Sequence, residues 1–438
     1  LYIVTRSREA HVQHVPLANF INNRRVNMEN SILQKVKDTE KLFEGYEIIA
    51  GELSRVRALR QKLEQQHVTV SVIGQFKRGK SALVNGILGR DILPMGIVPV
   101  TAVVTTVEYG KDSAEVHFSN GKTEKVSFEQ ISEYINEQQN MDNHLNVTKV
   151  AIKCESEFLH NNLTFVDTPG VGSLHEKNSE EAYAFVKESD AVIFTLSVDS
   201  PINQIEIDFL KNAKTHAAKF YFAVNKTDVV APEDLKAYIS YCEKFIAQIM
   251  EVEKVMLFPV SAKAGTGIDA LKNAILTDLS TQTGKILKES AELKLQDIVL
   301  SALSEITLYR KALSMTGAEF DKKFEDMKSF FNQLHDETDT LPAALKANRE
   351  VCRLHANDVK NRLTLKVKEL FGIDYKYDMD EIYADKDITE VVDDICSSLD
   401  STLNTIFMHR EENTYVVSKR IYKLNELVRR LVRMRDGR

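Results

Sequence analysis

Gly74-Gln75-Phe76-Lys77-Arg78-Gly79-Lys80-Ser81 fits G-x-x-x-x-G-K-[ST], the spacing of a phosphate-binding loop. The flanking residues supply the context that this spacing needs. His67-Val68-Thr69-Val70-Ser71-Val72-Ile73 alternates and is rich in β-branched residues, which predicts a strand. Ser81-Ala82-Leu83-Val84-Asn85-Gly86-Ile87-Leu88 has helical spacing. A strand feeding a loop that opens a helix turns backbone N–H groups toward an anion, here the amides from Gly74 to Ala82. In that arrangement Lys80 reaches the β- and γ-phosphates and the Ser81 hydroxyl binds Mg²⁺.

A phosphate loop does not choose the base. Asn225-Lys226-Thr227-Asp228 follows the apolar run Phe220–Val224, at the end of a strand where α/β sheets bind ligands. It has the N-K-x-D pattern of guanine recognition. A carboxylate at Asp228 accepts from both N1–H and the 2-amino group of guanine, a donor pair that adenine lacks. Asn225 would donate to the base, and the Lys226 stem would cover its face. Asp167-Thr168-Pro169-Gly170 follows the run Leu163–Val166 and has the D-x-x-G pattern. There Asp167 would hold Mg²⁺ through water and the Gly170 amide would sense the γ-phosphate. Ser261-Ala262-Lys263 fits the last base-contacting loop. The remaining part is a threonine whose hydroxyl and carbonyl complete the Mg²⁺ shell. Thr101, Thr105 and Thr106 are candidates, and Thr101 is preferred because it precedes the strand, in a loop.

Of the 438 residues 28% are charged and 43% hydrophobic, which places the chain among soluble globular proteins of two or three domains. A net charge of −7 argues against nucleic acid as the main partner. Cys154, Cys242, Cys352 and Cys396 are scattered without a C-x-x-C pair, so they read as reduced cytosolic thiols. No apolar run approaches the roughly 18 residues that span a bilayer. The segment with Arg6, Arg8, Arg24 and Arg25 is weakly transit-like and is expected to be ordinary surface.

Three divisions are expected: a helical segment over 1–66, an α/β domain over 67–283 and a helical region over 284–438. Residues 1–24 give no clear signal. Leu42, Tyr46, Ile49, Leu53, Val56, Arg60 and Leu63 follow alternating four-three spacing, which predicts one helix from about Ser31 to Gln66. Strands are expected at Val103–Tyr109, Ala114–Phe118, Lys149–Lys153, Leu163–Val166, Ala191–Ser197, Phe220–Val224 and Val255–Val260, in a mostly parallel sheet with an antiparallel edge. Ser119-Asn120-Gly121-Lys122 predicts a hairpin. From Lys285 to His335 three-four spacing continues through Leu303, Ile306, Arg310, Leu313, Gly317, Phe320, Phe324, Met327, Phe331 and Leu334. It predicts one helix of roughly 75 Å. Further helices are expected at Pro342–Phe371, Ile388–His409 and Tyr415–Met434. In the last, Val417, Ile421, Leu424, Val428 and Leu431 form an apolar stripe beside Lys419, Arg420, Lys423, Arg429 and Arg430. The stripe would either pack in a helical neck or lie on anionic lipid.

Together these stretches resemble the bacterial dynamin-like GTPases. The resemblance rests on Gly74–Ser81, Asp167–Gly170, Asn225–Asp228 and the run Leu93–Thr105, whose Pro99-Val100-Thr101-Ala102-Val103-Val104-Thr105 is its most specific part. It covers roughly Val68 to Leu279. It implies a P-loop GTPase domain flanked by an elongated helical neck and trunk, and GTP hydrolysis to GDP with Mg²⁺. It also implies dimerisation with an identical or paralogous chain through the nucleotide face, and a cytoplasmic, peripherally membrane-associated protein that remodels or tethers membranes. A GTP-switched scaffold with little hydrolysis and a ribosome- or stress-associated GTPase are the alternatives. The resemblance departs at Phe76 and Lys77, where dynamins typically carry Gln and Ser, and at Val171, where many small GTPases carry a catalytic Gln. Val171 cannot orient a water by hydrogen bonding. Water positioning is therefore expected from backbone groups, another side chain or a partner, and Lys77 and Arg78 are the candidates to stabilise transition-state charge, in cis or across a dimer.

Overall fold

The computed structural model describes residues 2–5, 13–16, 32–95, 103–136, 139–140, 143–160, 162–169, 185–346, 349–375, 387–408 and 414–436. Two short strands, β1 (Tyr2–Thr5) and β2 (Gln13–Pro16), pair antiparallel in a stretch whose sequence carries no clear signal. The main sheet has nine strands: β3 (Val68–Ile73), β4 (Thr105–Tyr109), β5 (Ser113–Phe118), β6 (Thr123–Val126), β7 (Val147–Cys154), β8 (Leu163–Asp167), β9 (Ala191–Ser197), β10 (Lys219–Asn225) and β11 (Leu257–Pro259). Their order is β11-β10-β9-β3-β8-β4-β7-β5-β6. From β11 to β8 all neighbours are parallel. β4 then runs antiparallel to β8, and the hairpin β5–β6 closes the other edge.

The central strands β3, β8 and β9 are buried on both sides, which is why β9 reads as a continuous apolar run, whereas the edge strands β5 and β6 are partly exposed. Val70, Val72, Ala191 and Ile193 face one core with α3 (Lys80–Leu88). Ile73, Val192, Phe194 and Leu196 face another with α5 (Gln204–Ala213) and α6 (Pro232–Met250). A short α4 (Ile131–Ile135) caps the hairpin side.

The predicted helix over 31–66 is interrupted. A helix α1 over 32–43 ends at Gly45, whose φ of +82° suits glycine, and α2 (Ala50–Gln65) follows a 3₁₀ turn at Glu47–Ile49. The long helix also differs from expectation. α7 (Ile268–Leu313) starts inside the α/β domain and passes Thr283-Gly284 without a break. At 46 residues it is roughly 70 Å long. Its Leu279 and Leu287 pack under the sheet, whereas Ala291 and Leu295 belong to the helical core, so one rod serves both regions. α7 stops before Thr316, whose hydroxyl accepts from Glu319 N at 3.2 Å and caps α8 (Gly317–Asp339). The three-four spacing runs on across that cap, because both helices present apolar faces to the same core.

α9 (Arg349–Phe371), α10 (Ile388–Met408) and α11 (Thr414–Asp436) complete the helical region, within about a residue of expectation at most ends. Val417, Ile421 and Leu424 are buried in the core shared with α2 and α7, so this part of the α11 stripe packs inward. Leu424→Asp should cost about 3 kcal/mol or more by placing a carboxylate in that core. A thermal melt unchanged from the parent would contradict this placement. Among the described residues no helix is long and apolar enough to cross a membrane.

One buried acid makes the helical region pH-sensitive. Burial pushes the Glu305 carboxyl up to about 7, with Glu52 adding to the rise and the donated hydrogen bond of the Tyr375 hydroxyl opposing it. The native state then binds more protons than the unfolded chain between the ordinary value of 4.5 and about 7. Stability should fall as pH rises through that window, and Glu305→Gln should flatten the slope. Melts of parent and variant at about pH 5 and about pH 8 check this; equal slopes would refute it.

Candidate nucleotide site

The site lies at the carboxyl ends of β3, β8, β10 and β11. Gly74 has φ +148°, and a Cβ there would meet the Thr195 carbonyl oxygen at 2.4 Å, so the loop's first turn excludes side chains. Gly79 caps α3 with φ +82°, and a Cβ there would meet Asn225 Nδ2 at 2.5 Å. Lys80 opens α3. It is buried, and its amino group donates to the carbonyls of Gly74 at 3.1 Å and Gln75 at 3.4 Å. Burial lowers its pKa to about 8, with Asp167 opposing the shift.

The Ser81 hydroxyl donates to Asp167 Oδ2 at 2.7 Å. Asp167 Oδ1 is buried without a hydrogen-bond partner among the described residues. Burial pushes this carboxyl up to about 6. A hard divalent cation takes oxygen ligands, and a hydroxyl beside a carboxylate with an uncommitted oxygen fits Mg²⁺. Thr168 Oγ1 donates to the Val72 carbonyl at 2.8 Å, which fixes the D-x-x-G strand end to β3. Thr105 lies opposite Asp167 in the β4–β8 register, and it and Thr106 are buried within the strand. Thr101, Gly170 and Val171 lie outside the described residues.

The base half is organised by Asn225. Its Nδ2 donates to the carbonyls of Arg78 at 2.9 Å and Gly79 at 3.4 Å, while Oδ1 accepts from Ala262 N at 3.0 Å and Lys226 N at 2.8 Å. The side chain expected to donate to the base is thus committed to joining three loops. Ser261 Oγ donates to Asp228 Oδ1 at 2.6 Å and accepts from Ala264 N at 3.0 Å. That hydrogen bond holds the Asp228 carboxyl below its ordinary range, and Lys263 and Lys226 add to the effect. Asp228 therefore faces solvent as an oriented, charged acceptor. Lys226, in the left-handed region at φ +62°, pairs with Asp199 at 2.7 Å.

The two cations of the phosphate loop part company. Lys77 is exposed, at φ +66°, with its amino group 5.3 Å from the centre of the Phe76 ring. Arg78 is only 2% exposed. Its Nε and Nη2 meet the two carboxylate oxygens of Glu206 at 2.9 and 2.7 Å. Nη1 donates to Ser197 Oγ at 3.0 Å and the Ser200 carbonyl at 2.7 Å. Nη2 also reaches the Pro201 carbonyl at 3.1 Å and Gln75 Oε1 at 3.2 Å. The expectation that Arg78 supplies transition-state charge fails on this geometry, because every N–H of its guanidinium is already used. Sequence reasoning missed Glu206. Asn203-x-x-Glu206 shows a capping box at the start of α5, but nothing in that pattern reveals the arginine it meets.

Residues 70–228 match the dynamin family. An uncharacterised protein encoded in the xynA 3′ region of Caldicellulosiruptor sp. strain Rt8B.4 is 34% identical over 207 residues, 47% of this chain and 52% of that protein. Dynamin-like protein 1 of Campylobacter jejuni is 25% identical over 254 residues, 48% of this chain and 35% of that protein. The chain thus matches about half or less of the length of these relatives. Among solved structures, one chain of an oligomerised bacterial dynamin pair, described as providing a mechanism for long-range sensing and tethering of membranes, aligns with 80% of this chain and 57% of its own length, at 15% identity and a TM-score of 0.49.

Proposed function

We propose, from the premise that the chain is a bacterial dynamin-like GTPase, that it hydrolyses GTP to GDP with Mg²⁺, pairs through its nucleotide face with an identical or paralogous chain, and acts peripherally on anionic membranes. The observation that carries the nucleotide part is convergence: Lys80, Ser81 and Asp167 stand with Asn225, Asp228 and Ser261 at one end of one sheet. Phosphoryl transfer needs positioning and charge neutralisation more than covalent chemistry from the protein. Bound Mg²⁺, held by Ser81 and Asp167 with Thr101 as the third protein ligand, would neutralise phosphate oxygens. Lys80 and the amides of Gly74–Ala82 hold the phosphates, Gly170 senses the terminal one, and Lys77 remains the loop cation open to it. Asp228 accepts from the guanine edge, Lys226 covers the ring, and the Ala262–Lys263 backbone borders it.

Asp228→Asn tests the base assignment. An amide cannot accept from both guanine donors, so GTP affinity should drop roughly tenfold or more. Xanthine carries an oxygen in place of the 2-amino group, so the variant should regain affinity for its triphosphate. Equal affinity of the parent for ATP and GTP would sink the assignment. Turnover that rises with protein concentration supports pairing, and sedimentation with phosphatidylserine vesicles tests the membrane part. Failure to sediment in every nucleotide state would remove it.

A further inference from the structure

We infer that the buried Arg78–Glu206 pair sets the shape of the phosphate loop, making both residues positioning groups for GTP binding and turnover; the inference rests on the GTPase reading above. Arg78 sits between two residues of positive φ, Lys77 at +66° and Gly79 at +82°. A non-glycine residue in that region is disfavoured and persists only when its surroundings hold it. The surroundings here are the Arg78 side chain on one flank and Asn225 on the other. The Arg78 N–H donates to the Gln75 carbonyl at 3.3 Å, closing the turn, and its carbonyl accepts from Asn225.

The guanidinium fork spends its donors on one carboxylate, two carbonyls, one hydroxyl and one amide oxygen, an arrangement that an ammonium cannot reproduce. Glu206 is only 1% exposed and is fixed in turn by the Asn203 N–H, which donates to its Oε2 at 3.2 Å. The β9–α5 segment that receives the fork also receives the base loop. Lys226 pairs with Asp199, and the Tyr238 hydroxyl donates to the Ser197 carbonyl at 3.0 Å. The phosphate and base halves of the site are therefore tied together twice, inside through Asn225 and outside through residues 197–206. Among the described residues Glu206 meets the phosphate half only through the Arg78 side chain and has no contact with the base loop, yet the outer tie depends on its charge.

A buried ion pair can often be replaced by apolar residues without loss of stability, whereas removing one partner leaves a buried charge unpaired. That difference separates positioning from simple support. The test uses the full chain as parent, Glu206→Gln, Arg78→Met and the double variant Arg78→Met/Glu206→Leu. KM and kcat for GTP and thermal melts are measured on each. Both single variants should lose at least about tenfold in kcat/KM and also melt lower. The double variant should recover the melting temperature but not kcat/KM. Recovery of both together would overturn the inference, as would single variants with parental kinetics. If the double variant fails to fold, hydrogen exchange of the amides of residues 75–79 in Glu206→Gln decides: faster exchange supports positioning and unchanged exchange refutes it. A parent chain that neither binds nor turns over GTP overturns the GTPase reading and this one together; an active parent with indifferent variants overturns only this one.

Discussion

Lys80→Ala should reduce GTP turnover by roughly a hundredfold or more while leaving the protein folded. The two halves of that expectation come from one feature. Lys80 is buried with its amino group against two loop carbonyls, and burial holds its pKa near 8. Its ordinary value is 10.5, so between those values the native state binds fewer protons than the unfolded chain. Stability then rises with pH through that window, which means that at neutral pH the charged lysine is a cost to the fold. The polyphosphate of a nucleotide would supply the negative charge that offsets it. Removing the amino group should thus remove a ligand interaction and relieve the apo protein, so the melting temperature should hold or rise. The helical core is built from other residues and should be indifferent. Nucleotide binding and circular dichroism check both halves. A variant that has lost helical signal would mean that the two regions fold as one unit, and a variant with parental turnover would discard the phosphate assignment.

The strands and the four motif stretches were legible because each depends on local chemistry. β9 follows from a continuous apolar run, and the phosphate loop from glycines whose side-chain-free backbones the turn needs. The helical region was legible in content but not in its breaks. Thr316-Gly317-Ala318-Glu319 has the spacing of a helix start, yet the heptad rhythm of Leu313 and Phe320 continues over it. Periodicity reports which face is apolar, and two successive helices that face one core share that answer. The motifs led to side chains that the fold gathers at one end of the sheet, among them Lys80, Ser81, Asp167, Asn225 and Asp228, but they did not show what each is bonded to. Asn225 and Arg78 have the donors to meet a nucleotide, and only the fold shows that a carbonyl pair and Glu206 have taken them. The partners lie more than a hundred positions away, and a single sequence holds no trace of such pairings.

Asp190→Asn should be the most destabilising single change at the junction of the two regions. Asp190 stands at the start of β9, seven residues of strand away from the loop that receives Arg78. Its Oδ2 accepts from Lys62 at 2.7 Å and the Thr69 N–H at 2.8 Å; its Oδ1 accepts from Lys294 at 2.7 Å and Ser290 Oγ at 2.6 Å. Lys62 belongs to α2 and Lys294 to α7, the helices that lead from the sheet into the helical region. Burial raises the Asp190 pKa, but the two ammonium groups outweigh it and hold the carboxyl far below its ordinary range. Burial likewise pulls Lys294 down to about 8. A neutral amide at 190 would leave two lysines facing each other with no anion between them. Breaking a buried pair by removing one partner costs about 3–5 kcal/mol. The other donors to this carboxylate bring no charge, and without it the two lysines keep only uncharged acceptors among the described residues here, the carbonyls of Glu188 and Ser189 and the Ser290 hydroxyl. Calorimetry should show the melting temperature falling by several degrees, with the transition separating into two as the regions uncouple. Adding Lys294→Met should restore most of the loss, since it removes the stranded charge and keeps the stem's packing. If Asp190→Asn alone melts with the parent, or if Lys294→Met deepens the defect, the carboxylate is not what joins the helices to the sheet.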